Sequence, residues 1–114
     1  MPTMTDWKEK LQKEFKLAES ARASGNEGQA RVCARRAAGI AIREYYAHRG
    51  YHVRTPSAYD LLQMLMDEPQ LSPELKQSAN YLTLRVNKEF KLPVDVDLLA
   101  EARKLCDGLL TEIK

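Results

Sequence analysis

The stretch Asn26–Gly50, NEGQARVCARRAAGIAIREYYAHRG, constrains this chain more than any other part of it. Asn26 suits an N-cap, and Gln29 stands three residues on in the capping-box position, so the orphan amides of a first helical turn have acceptors at hand. At the other end Gly50 can adopt the left-handed C′ conformation, and Arg49 puts a cation where the helix dipole favours one. Between these signals Ala30, Cys33, Ala34, Ala37, Ile40, Ala41 and Tyr45 recur at spacings of three and four, and Ala38 and Ile42 widen the band. Most of these side chains are small, so neighbouring helices can approach closely. The stretch is predicted to be one long helix at the centre of a bundle.

The rest of the composition agrees with that prediction. With 114 residues, 44% of them hydrophobic and 30% charged, the chain is sized for one domain with its own core. No uninterrupted apolar run approaches the roughly 20 residues of a membrane span, and no apolar leader follows a basic one, so a cytoplasmic protein without membrane contact is expected. Cys33 and Cys106 lie on predicted apolar faces without metal-ligand spacing and are expected to be buried free thiols. The net charge of +2 is unevenly placed: seven arginines fall between Arg22 and Arg54, against Glu27 and Glu44 in the same span. Such a concentration fits a phosphate- or nucleic-acid-binding face, and equally a solvated helix surface.

In chain order, residues 1–5 form a tail whose Thr5 can cap a helix from Asp6 to about Ser24, and 6–114 form the single domain. Trp7, Leu11, Phe15, Ala18 and Ala21 give that helix one inward stripe. Ser24-Gly25 ends it, and Asn26 starts the next at once, which implies a tight antiparallel hairpin of two long helices. Ser57 caps a short helix over Ala58–Met66, with Leu61, Leu62, Leu65 and Met66 facing the core and Asp60 in a capping-box position. Ser72-Pro73-Glu74 is an N-cap, an N1 proline and a first-turn acid, and it opens a fourth helix with Leu75, Ala79, Leu82 and Val86 inside. The pattern breaks around Asn87–Pro93. Asp95 is then predicted to cap a fifth helix, on which Leu98, Leu99, Ala102, Leu105, Cys106 and Leu109 make a wide apolar band. Sustained alternation is absent, so no strand is expected. The predicted fold is all-α: a five-helix antiparallel bundle with two long N-terminal helices and three shorter ones.

The sequence carries no Gly-rich phosphate loop, no Cys/His metal quartet and no nucleophile elbow, so neither a metal nor another cofactor is expected. His48 and His52 flank the end of the central helix, as exposed or carbonyl-capping residues or as an acid–base pair. Tyr45-Tyr46 beside Arg43 and Arg49 reads as core and interface, or as a base-stacking platform.

The order of these features resembles the HEPN family (higher-eukaryote and prokaryote nucleotide-binding domain). The resemblance lies in an Ala-rich second helix entered through a Gly-containing turn and ending at Gly50, a loop with Pro56, and Ala58-Tyr59-Asp60-Leu61-Leu62 opening a short helix. Many members have His-Asp-Leu where Tyr59-Asp60-Leu61 stands here. The similarity spans about residues 6–110 and rests on pattern more than on invariant residues. It implies a five-helix bundle, commonly dimeric, often encoded beside a minimal nucleotidyltransferase and in several branches a metal-independent RNase. Those RNase branches carry an Arg, a gap of four to six residues and then a His near the end of the fourth helix. Arg85 matches the Arg, but Phe90, Lys91 and Leu92 occupy the three places for the His. Without that imidazole, acid–base cleavage loses a contribution of roughly 10²–10⁴-fold.

The leading expectation is therefore a HEPN-like, non-catalytic binding module and homodimer, partnered with a nucleotidyltransferase or engaging a nucleotide or RNA. In that reading Arg85 contacts phosphate, supported by Lys88 and by Arg36 and Arg43 on one side of helix two, with Asp60 orienting one of those arginines. One alternative is a divergent, toxin-like metal-independent RNase with His48 or Tyr46 as base. Another is a tetratricopeptide-like interaction scaffold, since Ala18, Gly25, Ala30 and Ala37 are similar to one such repeat; no second repeat follows at a period of about 34.

Overall fold

Two glycines with positive φ bracket the central helix. Gly25 has φ +82° and Gly50 φ +81°, and the same pair of hydrogen bonds forms around each. Asn26 N–H reaches Ala21 O at 2.8 Å and Gly25 N–H reaches Arg22 O at 3.0 Å; Tyr51 N–H reaches Tyr46 O at 2.9 Å and Gly50 N–H reaches Ala47 O at 3.0 Å. These are Schellman closures, which consume carbonyls that a helix end would otherwise leave without donors. The computed structural model describes residues 6–85, 92 and 96–112. They form five helices: α1 Asp6–Ala23, α2 Glu27–Ala47, α3 Ala58–Met66, α4 Pro73–Leu82 and α5 Leu98–Glu112. No strand occurs among the described residues, and the chain is an all-α bundle.

The caps explain where four of these helices begin. Asn26 accepts from Gln29 N–H, Ser57 from Asp60 N–H and Ser72 from Leu75 N–H. The Gln29 side chain does not return to Asn26; its amide points to Cys33 Sγ at 3.6 Å. At α5 the capping carboxylate is Asp97, whose Oδ1 accepts from the N–H groups of Leu99 and Ala100 at 3.0 and 3.2 Å. The expected caps Thr5 and Asp95 lie outside the described residues. α2 stops at Ala47, so Arg49 lies beyond its last turn, with its guanidinium carbon 4.4 Å from the Tyr45 ring centroid.

α2 is central because it packs against α1, α3 and α5, while α4 closes the bundle against α3 and α5. Ala30, Ala34, Ala37, Ala38 and Ala41 are all essentially without exposure, so their small side chains bring three neighbours onto one helix. Gly39 continues this: a Cβ there would lie 3.6 Å from that of Ala58, which sets how closely α3 crosses. α1 returns antiparallel to α2. α5 runs with α2, from Asp97, which shares Arg22 with Glu27, to Cys106, whose Sγ lies 3.7 Å from Ala37 O. The inward faces of α3 and α5 are the expected ones, with Leu61, Leu62, Leu65, Leu98, Leu105 and Leu109 fully buried. Both cysteines are buried free thiols. α3 and α4, of 9 and 10 residues, do not repeat the long α1–α2 hairpin. No helix is long and apolar enough to cross a membrane among the described residues.

Candidate functional site: an arginine cleft at the end of α4

α4 is shorter than its apolar spacing predicts. It ends at Leu82, with Thr83 as C-cap, and the reason lies on another helix. Val86, expected on its inner face, lies outside the described residues. Arg35 of α2, half-buried, donates from Nε to Leu82 O at 2.9 Å and from Nη2 to Leu84 O. The last carbonyls of a helix have no donor within it. A guanidinium presents its donors in a fixed planar fork and can take two of them at once. Arg35 therefore ties the end of α4, and the residues just beyond it, to α2.

Arg85 follows directly. It is exposed, and its guanidinium carbon lies 4.5 Å from the ring centroid of Tyr59; that of Arg35 lies 5.5 Å from the same ring. Tyr59 is the second residue of α3, placed by the Ser57 cap. Arg31, one turn before Arg35, completes the ring of cations. Gly28, Arg31, Val32, Arg35, Tyr59 and Arg85 line a cleft of about 400 Å³.

Among the described residues, three guanidinium groups line this cleft and no carboxylate does. Burial pulls the Arg35 pKa below its ordinary value; the Tyr59 hydroxyl opposes the shift, and the charges of Arg31 and Arg85 add to it. An arginine remains protonated regardless. Three like charges in a concave, partly desolvated surface repel one another and favour an anion among them. The Tyr59 ring adds a flat apolar face.

The residues expected to share one site are divided between two places. Arg85 is in the cleft. Lys88 lies outside the described residues. Arg36 and Arg43 face a separate pocket of about 230 Å³ with Glu14, Ile40, Pro56 and Leu61. There Arg36 Nη1 is 3.9 Å from Glu14 Oε1, and Arg43 Nη2 donates to Thr55 O at 3.0 Å. Asp60 touches neither arginine; it accepts from Thr55 Oγ1 at 2.8 Å, so it reaches Arg43 only through Thr55. Successive residues on a helix point about 100° apart, which is why Arg35 and Arg36 serve different pockets.

Arg31, Arg35 and Tyr59 are the cleft residues that sequence reasoning missed. Arg31 and Arg35 are spaced i, i+4 on α2, a signal as good as the Arg36–Arg43 spacing. Only the packing of α4 tells the two faces apart.

The exposed His48 sits at the far end of α2, with Nδ1 2.9 Å from Glu44 O, in the expected carbonyl-capping role. From Arg35 to His48 the helix rises about 20 Å, and to Tyr46 about 16 Å, so neither group reaches the cleft within one chain. Tyr46 is buried, and burial pushes its pKa up to about 12. No group of three His, Cys, Asp or Glu that could hold a metal ion occurs among the described residues. Comparison with protein-family models, with curated proteins and with solved structures gave no match.

Proposed function

We propose that this chain is a HEPN-like, non-catalytic binding module that takes up a phosphate-bearing ligand, a nucleotide or RNA, in the cleft between α2 and the end of α4. The observation that carries the reading is the convergence of Arg35 and Arg85 on the Tyr59 ring, with Arg31 lining the same cleft and no carboxylate among its described lining residues. The arginine forks suit phosphate oxygens, and the ring suits the flat face of a base or the sugar beside it. A homodimer and a nucleotidyltransferase partner belong to the same reading through the family resemblance.

The test is a titration of the purified protein with ATP and with a short RNA at several salt concentrations. Binding should weaken as salt rises. Arg85→Ala should weaken it about tenfold or more, the worth of one charge-assisted contact. Because Arg85 is exposed, the melting temperature of that variant should hold. Binding unchanged in Arg85→Ala would remove the assignment. Light scattering on the same sample tests the dimer.

A further inference from the structure

The three cleft arginines are not equivalent. Two of the three guanidinium nitrogens of Arg35 already donate to Leu82 O and Leu84 O. Arg31 and Arg85, by contrast, make no hydrogen bond or ion pair with another described residue. Glu27, which feels the charge of Arg31, has its carboxylate engaged by Arg22 at 2.7 Å. Among the described residues, the cleft thus offers two uncommitted guanidinium forks, one from α2 and one from the segment after α4, both lining it together with the Tyr59 ring. Arg35 holds the backbone that carries the second fork.

Two free forks match one doubly charged group. A phosphomonoester carries a charge near −2 at pH 7 and three terminal oxygens, enough for both arginines at once. An internal phosphodiester carries a single charge and two such oxygens. The cleft volume of about 400 Å³ is at the small end of ligand pockets and suits one phosphate with its sugar better than a run of nucleotides. Resting on the binding-module reading above, we infer that the cleft selects a terminal phosphomonoester, gripped by Arg31 and Arg85, with Arg35 as the positioning residue for Arg85.

The shared chemistry has two sources, a free mononucleotide and the phosphorylated end of an RNA strand. One short RNA would be prepared in 5′-phosphorylated, 3′-phosphorylated and unphosphorylated forms, and titrated into the full chain alongside AMP and adenosine. At least one phosphorylated strand, or AMP against adenosine, should bind about tenfold or more tighter than its hydroxyl counterpart. AMP that binds and displaces the strand marks the free nucleotide as sufficient; a preference seen only in the strands marks the strand end. Arg31→Ala and Arg85→Ala should each erase the preference. Arg35→Lys keeps the charge but cannot hold two carbonyls at once, and it should also erase the preference ratio, which a mere loss of stability would leave intact. If phosphorylated and unphosphorylated strands bind equally, and AMP no tighter than adenosine, the terminal-phosphate inference is overturned while the binding-module reading stands. If neither strand nor nucleotide binds, both are overturned.

Discussion

Arg35 shows how a single side chain can decide the end of a helix it does not belong to. Its fork satisfies carbonyls at and beyond the last turn of α4, and Leu82 itself is fully buried. Arg35→Met would keep the aliphatic stem but leave those carbonyls without their donor. It should cost about 1–3 kcal/mol of stability in urea denaturation. Arg85 has no such structural duty, so its removal should be nearly silent in the same measurement. Ser78 makes a comparable point: it is fully buried, and its Oγ donates to Glu101 Oε1 at 2.8 Å, a tie between α4 and α5 that no hydropathy pattern announces.

At the scale of elements, close approach is set by residues without side chains. A Cβ on Gly108 of α5 would fall 2.5 and 2.8 Å from the two methyl carbons of Leu75 on α4. Gly108→Ala gains up to about 1 kcal/mol of helix propensity and loses about 1–3 kcal/mol to overpacking. A net destabilisation is therefore expected in thermal melts. In a Leu75→Ala background the clash is gone, and Gly108→Ala should become stabilising relative to that background; an unchanged sign would show that the helices simply move apart. Around Gly25 and Gly50 an added Cβ would meet only open space, so their constraint is purely conformational. Gly25→Ala forces an L side chain to φ +82° and should cost about 1–2 kcal/mol.

At the scale of the whole molecule, charges clasp the N-terminal ends of α2 and α5 to the C-terminal end of α1. Arg22 holds Glu27 at 2.7 Å and Asp97 at 2.9 Å, and Arg103 on α5 pairs with Glu19 on α1. The hydrogen bonds from Arg22 pull both Glu27 and Asp97 below the usual carboxylate range. A depressed folded-state pKa contributes stability that is present above the unfolded value, about 4, and is lost as pH falls through the folded one. The carboxylates are 43% and 51% exposed, so solvent screens the pairs and the effect is modest. Melting temperature should drop more steeply below about pH 4 in the native chain than in Arg22→Gln. At the alkaline end, burial raises the Tyr46 hydroxyl to about 12, above its unfolded value of about 10. That contribution is complete below pH about 10 and fades as pH rises toward the folded pKa, so Tyr46→Phe should flatten the alkaline limb of the stability curve.

The starts of α2, α3 and α4 were legible in local chemistry. Asn26, Ser57 and Ser72 cap because a side-chain oxygen satisfies an amide three residues on, and Gly25 and Gly50 stop helices because only glycine adopts their φ cheaply. The buried faces followed from spacing at 3.6 residues per turn, and the dominance of alanine in Ala30–Ala41 marked α2 as the helix others close upon. Arg85 was singled out in the sequence by resemblance alone. What periodicity could not supply was the company Arg85 keeps. α2 offers two arginine-bearing faces, Arg31–Arg35 and Arg36–Arg43, with equally good helical spacing, and the choice between them depends on where α4 ends. That end is fixed by Arg35, across 47 residues of sequence, through hydrogen bonds that exist only once α2 and α4 are packed. Local chemistry determined the elements; the cleft is a property of their contact, because its walls come from α2, α3 and the segment after α4, which no local rule brings together.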